Sequence, residues 1–111
     1  MRLLIAYPHA ANWQWSPPIT ATCCGFSPDA IAAALTSDTE VLVTDAMPPA
    51  EISARNLKWI HLLSAGYNQA IGHPLALRPG VRVSNAAGLC AGHMAEFAVG
   101  QILRHVKRFD D

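Results

Sequence analysis

Two short loops contain the residues of this sequence that are best suited to bind a small anion. In the first, an apolar run is followed by Ser64-Ala65-Gly66-Tyr67-Asn68. A small turn that contains glycine leaves successive backbone N–H groups open to an anion, and a short helix beginning at Tyr67 would add the attraction of its dipole. The alternative is that Gly66 only permits a sharp turn, which is common in α/β folds.

The second loop is Asn85-Ala86-Ala87-Gly88, which follows a later apolar run. Asn85 can orient a neighbouring loop through hydrogen bonds from its side chain to backbone groups, and Gly88 can serve the turn. When this loop is considered alone, ordinary turn chemistry is the simpler explanation, because Asn and Gly accept unusual backbone angles.

The histidines and cysteines do not predict a metal site. The five histidines include no pair four residues apart, and they form no zinc motif with the cysteines. Cys90 precedes a predicted helix, where a thiol can be reactive. We expect it to be a small packing residue, because no dedicated base accompanies it.

The composition argues against several kinds of partner. Eight basic and eight acidic residues cancel without forming a block, so we expect neither a nucleic acid nor an anionic membrane. The apolar stretches are too short for a membrane span or a signal peptide. Three cysteines, two of them adjacent, indicate no disulfide framework and favour a reducing cytoplasm.

The hydrophobic fraction is high for so short a chain. It is 51%, against 14% charged residues, in 111 residues that fit a single domain. A small domain has proportionally more surface in contact with water. The sequence therefore predicts either an unusually complete core or an apolar surface that meets another domain.

Five apolar runs alternate with helical or turn-rich segments. They predict strands at residues 3–7, 19–24, 41–44, 57–63 and 81–84. Helical crossovers between such strands imply a parallel sheet that is covered on both faces. We predict an α/β fold, a flavodoxin-like doubly wound sheet of five parallel strands in the order 2-1-3-4-5. Ligands bind at the carboxyl ends of such strands, where both loops fall.

Helices are predicted at three places. Ser27, Pro28 and Asp29 form a helix start, with a hydroxyl cap, a proline in the first turn and a carboxylate facing the positive helix end. A short helix is predicted over residues 50–55. From about residue 90 to 109, apolar pairs recur every four residues, which predicts a long helix with one wide apolar stripe.

The segment between the first two strands is rich in Trp and Pro. Pro17 and Pro18 permit at most a short helix there. Trp13 and Trp15 either form an aromatic ligand surface or fill the space that a longer helix would occupy. Packing is the expectation.

Two motifs resemble the D-isomer-specific 2-hydroxyacid dehydrogenases. One has the pattern Val-x-Val-x-Asn-x-x-Gly, six residues, then Ala-Glu at the start of an amphipathic helix. In this sequence it consists of Val81, Val83, Asn85, Gly88 and Ala95-Glu96. Upstream, residues 57–60 followed by Ser64-Ala65-Gly66 look like the family's fourth strand and substrate loop. The similarity extends from about residue 41 to residue 109, with both motifs in the family's order.

The resemblance implies a role for each loop. The backbone amides of Ala65 and Gly66 would bind the carboxylate of the substrate. Tyr67 would lie near the substrate pocket, and Asn85 would support it. Met94, at the beginning of the long helix, would approach the nicotinamide of NAD or NADP.

The sequence departs from the family in what it lacks. It contains no Gly-x-Gly-x-x-Gly dinucleotide fingerprint, and the family's catalytic Arg, Glu and His would come later than Asp111. Residues 1–111 are therefore interpreted as a substrate-binding domain, with residues 90–109 as a hinge helix toward an absent NAD-binding domain. Glu96 is interpreted as structural, satisfying nearby backbone donors.

The implied function is part of an NAD(P)-dependent oxidoreductase that interconverts 2-oxoacids and D-2-hydroxyacids. Reduction of glyoxylate or hydroxypyruvate is an example of such a reaction. The chain alone is expected to be inactive, because catalysis needs a bound cofactor, an acid and a cation that binds the carboxylate.

A non-catalytic interaction module, a truncated paralogue that dimerises, is the alternative. An apolar face on the long helix and on the neighbouring sheet edge predicts self-association or domain exchange through that helix. A phosphoreceiver is disfavoured because Asp45 stands alone after the third strand. Flavin binding is disfavoured because the loop after the first strand lacks a Ser/Thr/Gly run.

Overall fold

Five short strands form one sheet in the computed structural model of the chain, which describes residues 1–110. The strands are β1 (Arg2–Ile5), β2 (Thr20–Cys23), β3 (Val41–Thr44), β4 (Trp59–Leu62) and β5 (Arg82–Asn85). The helices are α1 (Pro28–Ala34), α2 (Pro74–Leu77) and α3 (Ala91–Val106), and there are 3₁₀ turns at Pro8–Asn12 and Asn68–Ala70.

All neighbouring strands are parallel, and their order is β2-β1-β3-β4-β5. The predicted fold class and strand order are therefore confirmed. Each strand has four residues, so most are shorter than their apolar runs. The extra apolar residues lie in the connections, where Leu57 and Ala6 are buried.

The main core lies on one face of the sheet. Strand side chains alternate between faces, so Leu4, Leu42 and Ile60 point to the same side. Residues from the connections cover them, and Ile31 of α1 and Leu75 of α2 are buried in this core. The connections after β2, β3 and β4 therefore all pack on this face.

The opposite face is covered only in part, which corrects the prediction of a sheet covered on both faces. At the β1 side, Ile5 packs with Ala10 of the first 3₁₀ turn. At the β4 and β5 side, Trp59 is 42% exposed and Arg82 is exposed. Within residues 1–110, the strands form one sheet without a complete second helical layer.

The predicted start of α1 is confirmed. Ser27 has extended backbone angles, and its Oγ accepts a hydrogen bond from the Ala30 N–H at 3.1 Å. Pro28 occupies the first turn, and Asp29 adds a carboxylate there. The helix buries Ile31, which fixes it against the sheet.

Residues 50–55 form turns rather than the predicted short helix. Hydrogen bonds of turn type join Ile52 to Pro49 and Leu57 to Ala54. Ala54 and Leu57 are both buried, at 0% and 3% exposure. Burying these two side chains in the core outweighs the weak tendency of six residues to nucleate a helix.

The long helix α3 begins and ends within the predicted segment 90–109, but it does not pack on the sheet. All 16 of its residues are exposed. The radius of gyration is 18.2 Å, whereas a compact chain of this length has about 13 Å. Within residues 1–110, no helix is both long enough and apolar enough to cross a membrane.

Candidate anion-binding site

The loops that follow β4 and β5 lie side by side at one edge of the sheet. The register pairs Leu62 with Asn85, the last residues of the two strands. Beyond this pair, the Ala86 N–H donates to the Ser64 carbonyl oxygen at 3.0 Å. The parallel sheet thus brings together two loops that lie about twenty residues apart in the sequence.

Asn85 joins the two loops through both ends of its side-chain amide. Its Nδ2 donates to the Ala65 carbonyl oxygen at 2.9 Å, and its Oδ1 accepts from the Ala87 N–H at 3.3 Å. The loop-orienting bond that its residue type suggested is present. Because Asn85 is half-buried on a strand, it gives the exposed loop a fixed point.

The carbonyl groups of the 64–66 loop are bonded internally. The Ser64 Oγ donates to the Gly66 carbonyl oxygen at 3.1 Å, and the Gln69 Nε2 donates to the Ser64 Oγ at 3.0 Å. The Ala65 carbonyl is held by Asn85. The N–H groups of Ala65 and Gly66 have no acceptor within residues 1–110, and both residues are exposed. Two adjacent donors are therefore open to a ligand.

Gly66 is not required by the backbone of this loop. Positive φ angles occur at Gly72, Gly80 and Gly88, but not at Gly66. A Cβ placed on Gly66 would meet no atom within 4 Å. The interpretation that this glycine only permits a sharp turn is therefore not supported by the local geometry. Gly88, with a φ of +81°, does serve its turn.

Asp45 belongs to the site and was missed by the sequence analysis. Its Oδ1 accepts the Ser64 N–H at 2.7 Å, so the carboxylate lies next to the open amides. The signal in the sequence was its position directly after β3, the strand beside β4. An exposed negative charge here opposes the binding of a second anion.

Tyr67 does not begin a helix, so the predicted dipole contribution is absent. Its φ of −135° and ψ of 14° lie outside the helical region, and the 3₁₀ turn after it has three residues. Tyr67 is 59% exposed. It lines, with Asn85, a groove of about 460 Å³ whose other walls include Ile71, Leu77 and Val83. Ala65 and Gly66 do not line this groove.

Met94 and Glu96 are not brought to these loops. Met94 is 70% exposed on α3. Glu96 was expected to satisfy nearby backbone donors, but its carboxylate accepts no backbone hydrogen bond within residues 1–110. Its carboxylate lies 3.9 Å from the Nδ1 of His93, and both side chains are more than four-fifths exposed. The reason is the direction of α3, which leads away from the sheet.

The cysteines are all free thiols. Partial burial, with a smaller contribution from neighbouring Cys23, raises the pKa of Cys24. Cys90 is exposed at the start of α3, so the expectation that it is a small packing residue is not met within residues 1–110. Among residues 1–110, no three His, Cys, Asp or Glu side chains are grouped so as to hold a metal ion.

The aromatic residues near the first two strands pack on one another. Tyr7 lies between Trp13 and Phe26, with ring centroids 6.0 and 5.6 Å away, and Trp15 is 6.1 Å from Trp13. The expected packing is present, although Trp13 remains 48% exposed. This cluster follows β1 and β2, on the far side of β3 from the 64–66 loop.

Comparison with known proteins gives no relative for this chain. No family model, no curated protein and no solved structure matches it. The geometry of the two loops and the resemblance of their motifs are therefore the grounds for a functional proposal.

Proposed function

We propose that this chain is the substrate-binding part of an NAD(P)-dependent oxidoreductase that interconverts 2-oxoacids and D-2-hydroxyacids, and that it is inactive alone. The observation that carries the proposal is the pair of N–H groups at Ala65 and Gly66, which have no acceptor within residues 1–110. They lie at the carboxyl edge of a parallel sheet, where ligands of such folds bind.

The loop has the properties that a carboxylate-binding loop needs. Its carbonyl oxygens, which would repel an anion, are engaged by Ser64 and Asn85. The space beside Gly66 lets a ligand approach the backbone closely. Tyr67 and Asn85 line the neighbouring groove, whose apolar walls suit the carbon chain of a small acid.

The chain's own residues bind and orient in this proposal, and they do not transfer a hydride. Asp45 makes the binding weak, because its charge lies next to the amides. A cation in the complete enzyme would offset that charge.

The nicotinamide cofactor does not fit residues 1–110 by themselves. Met94, the residue implied to approach it, is 70% exposed on a helix that leads away from the site. The sequence also has no glycine-rich dinucleotide loop. We therefore propose that NAD or NADP binds only in the complete enzyme. A reducing cytoplasm suits the three free thiols.

The proposal is tested by titrating the isotopically labelled chain with oxalate, a stable analogue of a 2-oxoacid, while amide signals are followed by NMR. We expect saturable shifts centred on Ala65 and Gly66, with a dissociation constant in the millimolar range. Chloride at equal ionic strength is the control for charge screening. If the two amides do not move, or if the shifts centre elsewhere, the proposal is overturned.

An interaction module is the second candidate, and a different observation favours it. The exposed helix α3 and the open part of the sheet offer an apolar surface far larger than a small anion needs.

A further inference from the structure

Helix α3 presents an apolar stripe that no part of residues 1–110 covers. Residues 94, 98, 102 and 106 follow one another along one side, with 95, 99 and 103 beside them. The large members are between half and seven-tenths exposed: Met94 70%, Val99 56%, Ile102 60%, Leu103 49% and Val106 65%. A stripe of this width is typical of a helix that packs on a sheet or another helix.

The same chain has an open sheet face, formed by β4 and β5 on the side away from the main core. Trp59 and Arg82 pair there in register, as do His61 and Ser84. A groove of about 590 Å³ lies along it, lined by Val41, Trp59 and Ser84 and also by the charged residues Glu40, Lys58 and Arg82. Neighbouring strands lie about 4.8 Å apart, so a helix about 10 Å in diameter spans two or three of them.

Three polar side chains of this open face, those of Trp59, His61 and Ser84, bond one another, whereas the guanidinium of Arg82 has no partner within residues 1–110 and stays exposed at the edge strand. The Trp59 Nε1 donates to the Ser84 Oγ at 2.8 Å, and the same oxygen lies 2.8 Å from the His61 Nδ1. The Trp59 and His61 rings also meet edge to face, with centroids 6.2 Å apart. An apolar helix can therefore cover Trp59 without leaving its N–H unpaired.

A helix that follows β5 could cover this face, yet the chain's own α3 does not pack on it. The connections after β2, β3 and β4 all pack on the main-core face. The exit from β5 is fixed by the bond from Ala86 N–H to the Ser64 carbonyl and by a turn from Leu89 to Ala86. This turn directs α3 away from its own sheet.

The exposed area has the size of an interface. The described chain exposes 7555 Å², whereas a compact monomer of 11.9 kDa exposes about 5,950 Å². The excess is about 1,600 Å², twice the roughly 800 Å² that each partner contributes to a standard interface. If each of two chains gave one helix and one sheet face, the total would reach the range of obligate homodimers.

We propose that two copies of this chain form a symmetric dimer in which α3 of each copy packs its apolar stripe on the open β4–β5 face of the other. A second copy is the occupant because the two unpartnered surfaces lie on one chain, so a two-fold pair satisfies both at once. This proposal is independent of the proposed substrate.

Sedimentation equilibrium of the chain in a reducing buffer is the first test, since exposed Cys90 must not link copies covalently. We expect a dimer whose fraction rises with concentration. Ile102→Glu places a charge in the stripe. Because this position is 60% exposed, we expect each copy to keep its fold. We expect the dissociation constant of the dimer to rise at least tenfold. Gln101→Glu, on the polar side of the same helix, is the matched control and leaves the dimer unchanged.

The second test identifies what the stripe contacts. In a mixture of ¹³C-methyl-labelled and unlabelled chains, isotope-filtered NOE spectra should join the Ile102 methyls of one copy to the Trp59 ring of the other. A compact monomer with this contact inside one chain would overturn the proposal. So would a dimer whose filtered contacts join α3 only to α3.

Discussion

The Nδ2 of Asn85 and the carbonyl oxygen of Ala65 lie 2.9 Å apart, and their hydrogen bond joins the loops that follow β4 and β5. The same side chain accepts from Ala87 N–H in its own loop. The bond turns the Ala65 carbonyl toward the protein. Together with Ser64 and Asp45, Asn85 therefore determines which backbone atoms of the 64–66 loop remain available to a ligand.

Replacement of this side chain tests its role directly. Asn85→Ala removes both bonds, and we expect a loss of about 1 kcal/mol in the free energy of unfolding, because water can still reach the exposed Ala65 carbonyl. Oxalate binding should fall more than stability does, since the loop loses its fixed point. Urea unfolding and NMR titration measure the two effects, and unchanged oxalate affinity in Asn85→Ala would contradict the positioning role.

Charge removal beside the open amides should strengthen anion binding. Asp45→Asn keeps an oxygen that can accept the Ser64 N–H, but it removes the neighbouring negative charge. Two unit charges 4 Å apart interact by about 1 kcal/mol in water, so we expect about fivefold tighter oxalate binding. Asp29→Asn, in the first turn of α1, is the control for net charge and should have no effect on oxalate. Weaker binding in Asp45→Asn would show that the ligand does not lie beside this carboxylate.

Two glycines should respond differently to alanine. Gly88→Ala forces an L side chain into a φ of +81°, which costs roughly 1–2 kcal/mol. Gly66→Ala meets no neighbouring atom and needs no positive φ, so its unfolding free energy should change little. Oxalate binding should nevertheless weaken in Gly66→Ala, because the added methyl occupies the space of a closely approaching ligand. Thermal unfolding and titration of both variants provide the comparison.

We expect Glu40 to contribute to the loss of folding stability at low pH. A hydrogen bond from Lys58, then one from the Arg2 N–H, holds the pKa of the Glu40 carboxyl below its ordinary value. The stabilisation is complete above the unfolded pKa of about 4.3 and is lost as the pH falls through the lower folded value. Glu40→Gln should therefore be less stable at neutral pH, with a shallower loss below about pH 4.5. A slope equal to that of the unmodified protein would contradict this assignment.

The cap of α1 gives a test of local helix formation. Ser27→Ala removes the acceptor for the Ala30 N–H and should cost about 1 kcal/mol of unfolding free energy. Ser37→Ala, at an exposed turn position, is the matched control and should change stability little. Equal losses in both variants would show that the cap does not stabilise α1.

Local patterns in the sequence were enough to predict the sheet and one helix start. Apolar runs bounded by Pro, Gly and polar residues predicted all five strands, and Ser27-Pro28-Asp29 predicted where α1 begins. These features depend on residues that are only a few positions apart in the sequence. The proximity of Asn85 to the 64–66 loop was also predictable, because parallel strands carry their following loops to the same edge.

Only the tertiary structure decided how the segments use their surfaces. The turns at residues 50–55 replaced a predicted helix because Ala54 and Leu57 are drawn into the core. The predicted strand order already put β3 beside β4, but only the structure showed that the Asp45 carboxylate accepts the Ser64 N–H and so becomes part of the site. The amphipathic pattern of α3 predicted a helix with an apolar side, but the pattern does not indicate how the helix is oriented relative to the sheet. The turn after β5 sets that direction, and it leads the stripe away from the sheet into solvent.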